Sequence, residues 1–420
     1  MPYRILIPDE LPYSSGVENV AVSIVRELLD QVESVTWAIE DQKRSVRIKN
    51  RLPNSKNLEI VPFRNWNTSG SKNKIFLPRL KAGLKKLPLL RKGAERIYRG
   101  LIDQRIVALA AETNATHCWL HFIQGQSVPN LDIPLCGLIH DQNFRYFPEN
   151  LPKGKPRQFK SAIQQWLARA DTLTVLSEVG RKELLEINPT PRSQIEIIPN
   201  AITPRQFRIE KRQPSGKPTI LYPAAALSHK NHLCLFKAVK RLALKGHKFH
   251  LVLCGESTDK LIGIQKISNS GAEKARVFFN SNRKFLEDYI EALGHCEKET
   301  LENLYCLCTA VVLPSLYEGF GLPLVEALAR STRVICNRLI PFQEQVDRYD
   351  AHDWVDWFNG EDIDSIVEVL EPVLQSGDAP FNQSVFPCKK LQTWTWRNVA
   401  ERYVQIFKEA SHRKVQKNLK

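Results

Sequence analysis

The segment Leu313–Arg330, LPSLYEGFGLPLVEALAR, sets two carboxylates, Glu318 and Glu326, on either side of a glycine-containing turn. An apolar run ends at Pro314 and Glu318-Gly319-Phe320-Gly321 forms the turn. A helical window opens at Leu322-Pro323, where proline fits the first helical turn. A strand, a glycine turn and a helix start make a phosphate site. Free backbone N–H groups and the positive end of the helix dipole face the turn, and glycine lets a ligand approach the backbone. If both glutamates were helical, they would stand ~12 Å apart along the axis. The carboxylate pair of a retaining glycosidase needs about 5–5.5 Å. These two therefore suit the ends of one long ligand with its phosphate between them, not an acid/nucleophile dyad.

Such a device needs strands that end together at one edge of a sheet. Short apolar runs alternate with amphipathic windows throughout the chain. Strands are expected at Arg4–Pro8, Val35–Ile39, Glu59–Phe63, His117–His121, Leu135–His140, Thr172–Leu176 and Ile195–Ile198. A second set follows at Thr219–Pro223, Phe249–Cys254, Val277–Asn280, Ile290–Leu293, Ala310–Pro314, Arg333–Asn337 and Asp353–Trp357. Helical windows include Gly16–Asp30, Lys160–Arg169, Asn231–Lys245, Lys298–Cys306, Asp362–Leu374 and Trp396–Ala410. This alternation predicts parallel, doubly wound α/β sheets. The polar, proline-rich stretch Thr203–Pro218 reads as a linker between two halves of similar size, as expected for 420 residues.

Composition narrows the class. No window approaches ~18 consecutive apolar residues, the length of a membrane-spanning helix. The opening MPYRILIPDE runs straight into a short strand without the apolar stretch of a signal peptide. A cytoplasmic protein is the expectation. The nine cysteines lie mostly in apolar runs, with no CxxC, and read as reduced, buried thiols. Cys306 and Cys308 are too few for a zinc site. The net charge of +15 points to an anionic partner.

Glu318-Gly319-Phe320-Gly321-Leu322-Pro323-Leu324-Val325-Glu326-Ala327 resembles the E-G-F-G-L-P-x-x-E-A hallmark of the retaining glycosyltransferases of family 4 (glycosyl transferases group 1). That family includes bacterial mannosyl- and glucosyltransferases of surface polysaccharides. The likeness extends over nearly the whole chain, through SSGVENV (14–20), GLIHDQNF (137–144), ADTLTVLSE (170–178), QIEIIPNAI (194–202) and YPAAALSHKNH (222–232). It implies a GT-B fold, two Rossmann-like doubly wound domains facing across a cleft. An acceptor-side domain would span 1–203, with a terminal helix at 396–412 packing back on it, and a nucleotide-sugar-binding domain would span 217–392.

The resemblance also implies roles. Glu326 would accept from ribose hydroxyls and Glu318 would contact the donor sugar. The backbone from Gly319 through Phe320, Gly321 and Leu322 would cradle the diphosphate, which Gly16 would let the first domain approach. Lys230 would neutralise the leaving diphosphate, and His140 would stand near sugar and acceptor. No metal or other cofactor is implied. The expected reaction moves a hexose from a nucleotide sugar, GDP-mannose favoured and a UDP-sugar the alternative, to a glycan or lipid-linked acceptor. Departures are Ala225, where the family often has arginine, Ala201 for a glycine, Ser331-Thr332 for a glycine after the helix, and one N-terminal glycine instead of two. The missing arginine motivates a second reading, a catalytically silent GT-B interaction protein.

Other features read more plainly. His229 and His232, which flank Lys230, read as structural or solvent-facing. Asp362-Ile363-Asp364 reads as a helix start, not as a metal site. Between Arg64 and Arg99 eleven basic residues face only Glu95, and Leu80, Leu84 and Leu87 fall at helical spacing. This suits either an anionic membrane surface or a solvated helix face. Nucleic acid is not an expected partner, because no stacking aromatics or recognition helix accompany the charge.

Overall fold

The computed structural model describes residues 3–9, 16–63, 88–202, 216–376 and 388–418, with backbone alone for 88–98, 388 and 417–418. Among them are two wholly parallel sheets. The first holds β1 (Arg4–Asp9), β2 (Ser34–Ile39), β3 (Leu58–Pro62), β4 (His117–Leu120), β5 (Leu135–Ile139), β6 (Thr172–Val175) and β7 (Gln194–Ile197), in the order β3-β2-β1-β4-β5-β6-β7. The second holds β8 (Thr219–Pro223), β9 (His250–Cys254), β10 (Ile290–Ala292), β11 (Ala310–Leu313), β12 (Arg333–Asn337) and β13 (Val355–Phe358), ordered β10-β9-β8-β11-β12-β13. Registers such as Ile5↔Val35 and Val311↔Val334 pair β1 and β11 parallel with their neighbours, and nearly every side chain of these two strands is buried. The runs ILIP, LCGLI and AVVL are accordingly apolar throughout, as strands buried on both faces must be. The result is the GT-B architecture, two Rossmann-like domains.

One strand expectation fails. Val277–Asn280 belongs to the helix Ser270–Ser281. Asn269 caps that helix by accepting from the Ala272 N–H, Glu273 and Arg276 pair at 2.7 Å one turn apart, and Ala272, Ala275 and Phe279 fall on one buried face. A short apolar run carries no period of its own, and here the cap and the 3–4 spacing decide. At the tips of the Leu313–Arg330 device the structure agrees with the sequence, since a helix runs Leu322–Leu328. The helix Trp396–Asn418 lies on the first sheet's side. Its Tyr403 hydroxyl is 3.0 Å from Thr174 Oγ1, and the Phe407 carbonyl is 2.8 Å from His117 Nε2. The Thr203–Pro218 linker lies outside the described residues as far as 215, and so does most of the basic stretch, 64–87. No helix among the described residues is long and apolar enough to cross a membrane.

A buried charge cluster fixes the first sheet's central edge. Arg44, 2% exposed, reaches Asp9 with Nη1 at 2.8 Å and Nη2 at 2.6 Å, and Glu18 with Nε at 2.6 Å. Asp9 also accepts from Trp37 Nε1 at 3.0 Å and lies 2.9 Å from His121 Nε2. Burial alone would raise the Asp9 carboxyl, but His121 and Arg44 outweigh it and hold it well below the usual carboxylate range. None of Asp9, Trp37, Arg44 and His121 stands out in the sequence as a site residue. The one local sign is an acid placed directly at the end of an apolar strand.

Candidate active site

In an open parallel sheet, ligands bind beyond the carboxyl ends of the strands, where the strand order reverses. In the second sheet that point lies between β8 and β11. Lys230 ends the short turn after β8, and Glu318 lies in the turn after β11. Their side chains, 15% and 11% exposed, meet at 2.6 Å. Both loops are stitched down. The Leu316 N–H donates to the His229 carbonyl at 2.7 Å, Tyr222 donates its hydroxyl to the Lys230 carbonyl, and Asn231 Nδ2 donates to Pro314 and Gly360 carbonyls at 3.1 and 2.8 Å. His229 is buried and takes a hydrogen bond with Asn150 at Nδ1, 2.8 Å away. His232 packs its ring on Tyr222 at 4.8 Å. Burial, reinforced by Lys230, pushes His232 down to about 3. Both histidines are neutral parts of the frame.

The turn explains its glycines. Gly321 has φ +92°, and a Cβ there would meet the Phe342 ring at 2.5 Å. A Cβ on Gly319 would lie 2.1 Å from the His140 carbonyl oxygen and 2.9 Å from Asp141 Cβ. The second domain's turn therefore touches the His140–Asp141 loop after β5, which is where the two sheets' edges face each other. The Phe320 ring is buried in the core, so only its backbone faces the turn. The N–H groups of Phe320 and Gly321 donate to no described residue. The helix that follows is only seven residues long, so its dipole is short and Lys230 is the main positive charge.

Glu326 lies farther along that helix. Tyr305 donates its hydroxyl to Glu326 Oε2 at 2.8 Å, and Arg330, doubly bonded to Glu302 at 2.6 and 2.7 Å, donates to the Glu326 carbonyl. Burial raises the Glu326 carboxyl, against the pull of Arg330 and Tyr305. On the facing domain, His140 Nε2 lies 2.8 Å from the His121 carbonyl, so that nitrogen carries the proton and Nδ1 is an acceptor. Burial pushes His140 down to about 4, and it is neutral near pH 7. Burial raises Asp141, which also senses Lys230 and Glu318. Gly16 begins the helix Gly16–Leu28, and a Cβ there meets nothing within 4 Å, so packing does not demand glycine. Asp362 Oδ1 accepts from the Asp364 N–H at 2.9 Å and Asp364 pairs with Arg241, an arrangement of a helix start.

Lys230, Glu318, Gly319 and His140 thus converge, while Glu326 stands at the far end of the same turn-and-helix unit. Two family profiles match adjoining stretches of the chain, Glycosyltransferase Family 4 over residues 14–206 and Glycosyl transferases group 1 over residues 205–382. The chain belongs to the family 4 glycosyltransferases. Among similar proteins, it is 25% identical over 218 residues to O-antigen chain mannosyltransferase B of Escherichia coli, covering 50% of this chain and 54% of that protein. It is 23% identical over 206 residues to O-antigen chain mannosyltransferase RfbU of Salmonella typhimurium, covering 49% and 52%. The chain thus spans about half the length of the curated relatives it matches. Solved structures agree over the full length. HepE of Anabaena, in complex with UDP and glucose, aligns with TM-score 0.63 at 14% identity over 97% of this chain and 100% of that one. Sucrose-phosphate synthase of Thermosynechococcus elongatus aligns with TM-score 0.65 at 16% identity over 97% and 99%. At these identities the structural likeness speaks for the fold alone.

Proposed function

We propose that this protein is a retaining glycosyltransferase that moves a hexose from a nucleotide sugar to a glycan or lipid-linked acceptor. The observation that carries the reading is the Lys230–Glu318 pair at the switch point of the second sheet, pressed against His140 and Asp141 of the first domain. A bound diphosphate takes over Lys230, and the donor sugar's hydroxyls take over Glu318. Phe320 and Gly321 offer backbone N–H groups to the same diphosphate, Gly16 lets the first domain approach it, and Glu326 accepts from the ribose. His140, neutral and with Nδ1 as acceptor, receives a hydroxyl of sugar or acceptor. In the reaction the C1–O bond to the diphosphate breaks as the acceptor oxygen bonds C1 on the same face. The acceptor's proton passes to the leaving phosphate, and Lys230 stabilises the charge that develops there. The scheme uses no metal. The mannosyltransferase relatives favour GDP-mannose as donor, and the UDP complex of HepE keeps a UDP-sugar as the alternative.

A panel of nucleoside diphosphates and nucleotide sugars tests the donor. A ligand that binds only the folded chain at a hundred times its Kd stabilises it by about 2.7 kcal/mol. Melting should therefore rise by about 5–10 °C with GDP and GDP-mannose. A shift with UDP alone transfers the assignment to a UDP-sugar, and no shift with any nucleoside diphosphate overturns the reading. A lipid-linked acceptor would place the protein at a membrane surface. Binding to vesicles of anionic lipid should exceed binding to neutral ones and fall between 50 and 500 mM salt. Equal binding to both removes the membrane part of the proposal. Turnover also separates an enzyme from a silent GT-B interaction protein, which would bind a partner without releasing nucleoside diphosphate from any donor.

A further inference from the structure

The residue before Glu318 crosses into the other domain. Tyr317, 9% exposed, accepts from the Gln142 backbone N–H at 2.8 Å and donates to Glu183 Oε2 at 2.9 Å. Its ring lies 5.4 Å from that of Tyr146, whose hydroxyl also bonds Glu183. Arg145 donates to the Glu183 main-chain carbonyl at 3.0 Å, which ties the helix Glu178–Ile187 that carries Glu183 to the loop after β5. A phenol has one proton to give. With Glu183 as acceptor and Gln142 as donor, one hydroxyl orientation satisfies both, and moving Tyr317 by an ångström breaks both at once. Two residues on, Gly319 packs so closely on His140 that a Cβ there would lie 2.1 Å from its carbonyl oxygen, so a shift at Tyr317 is also a shift of Glu318 relative to His140 and Asp141.

We propose that Tyr317 is a positioning residue: its bridge to Gln142 and Glu183 sets the register across the cleft between the Lys230–Glu318 pair and the His140–Asp141 loop. The proposal rests on the reading of the cleft as the site of glycosyl transfer. The diphosphate's main contacts in this reading, Lys230 and the Phe320 and Gly321 backbone, lie within the second domain and Gly16 adds only a close approach from the first, whereas transfer needs both domains in register. Loss of the bridge should therefore leave binding alone and slow the chemical step. Burial pushes the Glu183 carboxyl up to about 7, so it is partly protonated near neutrality and glutamine is a close mimic that still offers an acceptor oxygen.

The test compares Tyr317→Phe, Glu183→Leu and Glu183→Gln with wild type. Leaving buried polar groups of the bridge without their partners is costly enough that Tyr317→Phe and Glu183→Leu should lower kcat by about ten- to a hundred-fold. Calorimetric affinity for GDP or UDP should change less than about threefold, and Glu183→Gln should stay within about threefold of wild type in kcat. Small-angle scattering without ligand should show a larger radius of gyration for Tyr317→Phe and Glu183→Leu. Wild-type kcat together with unchanged scattering in both variants overturns the proposal, and so does a loss confined to diphosphate affinity. If wild type transfers no sugar from any donor, the functional reading fails, and the scattering comparison alone decides whether Tyr317 holds the domains in register.

Discussion

Replacement of Lys230 by alanine should reduce kcat for glycosyl transfer by about a hundred- to a thousand-fold, the loss typical when one stabilising group is taken from developing negative charge. Lys230 is the cation in contact with Glu318, at 2.6 Å, and it also pulls the raised Asp141 carboxyl down. Without it, Glu318 and Asp141 are two carboxylates facing a diphosphate with no ammonium between them. Part of the loss should therefore appear as a weaker grip on the donor and part as a slower step, in a steady-state assay of nucleoside diphosphate release. Glu318→Gln keeps the shape but removes the charge that steadies Lys230, so it should cost less than Lys230→Ala and act mainly on kcat. A Lys230→Ala enzyme within twofold of wild type in kcat/KM would remove Lys230 from the mechanism.

The second large effect concerns stability. Arg44→Ala should destabilise the protein by about 3–5 kcal/mol, the usual cost of leaving buried charges without their partner. Asp9 and Glu18 have fully buried side chains, and the guanidinium serves both at once. For a domain of this size the melting point should fall by about 6–20 °C, measured by calorimetry. Arg44→Lys should recover little, because an ammonium cannot span two carboxylates in a planar fork. Glu18 keeps two guanidinium partners, Arg47 and Arg51, at 3.0 and 3.2 Å, whereas Asp9 has the Trp37 indole at 3.0 Å and the His121 ring at 2.9 Å beside it. An Asp9→Asn change in the Arg44→Ala background should accordingly restore more than Glu18→Gln does. The sign with pH follows from the depressed Asp9 value: its contribution is present above about pH 4, the unfolded value, and is lost as pH falls below it.

Much of this architecture is legible in the chain because parallel strands are buried on both faces and read as apolar runs, as ILIP and AVVL do. The same property misleads at Val277–Asn280, where an apolar run lies on a helix and only the Asn269 cap and the Glu273–Arg276 pair give the period away. Leu322–Leu328 is readable for a local reason, since strand end, glycine turn and first-turn proline lie within a dozen residues. Tyr317 is not readable in this way. Its partners Gln142 and Glu183 are brought to it by the meeting of two sheets, and nothing near residue 317 in the chain signals them. The Asp9–Arg44–His121 cluster is hidden for the same reason, because β1, β4 and the helix Gln42–Arg51 join only in the folded sheet. Gly319 is a partial case. The sequence marks it as a turn glycine, and the contact with His140 adds that the space is taken by the other domain.

The proposed transfer depends on a diphosphate held between Lys230 and the turn before Leu322, and isothermal titration calorimetry of GDP against guanosine, and of UDP against uridine, measures that grip directly. A charge-assisted contact contributes enough that, for the base the protein prefers, the diphosphate should bind at least about tenfold more tightly than its nucleoside. In Lys230→Ala that advantage should shrink to about threefold or less. Equal affinities for nucleoside and diphosphate in wild type, or a diphosphate preference that Lys230→Ala leaves intact, would contradict it.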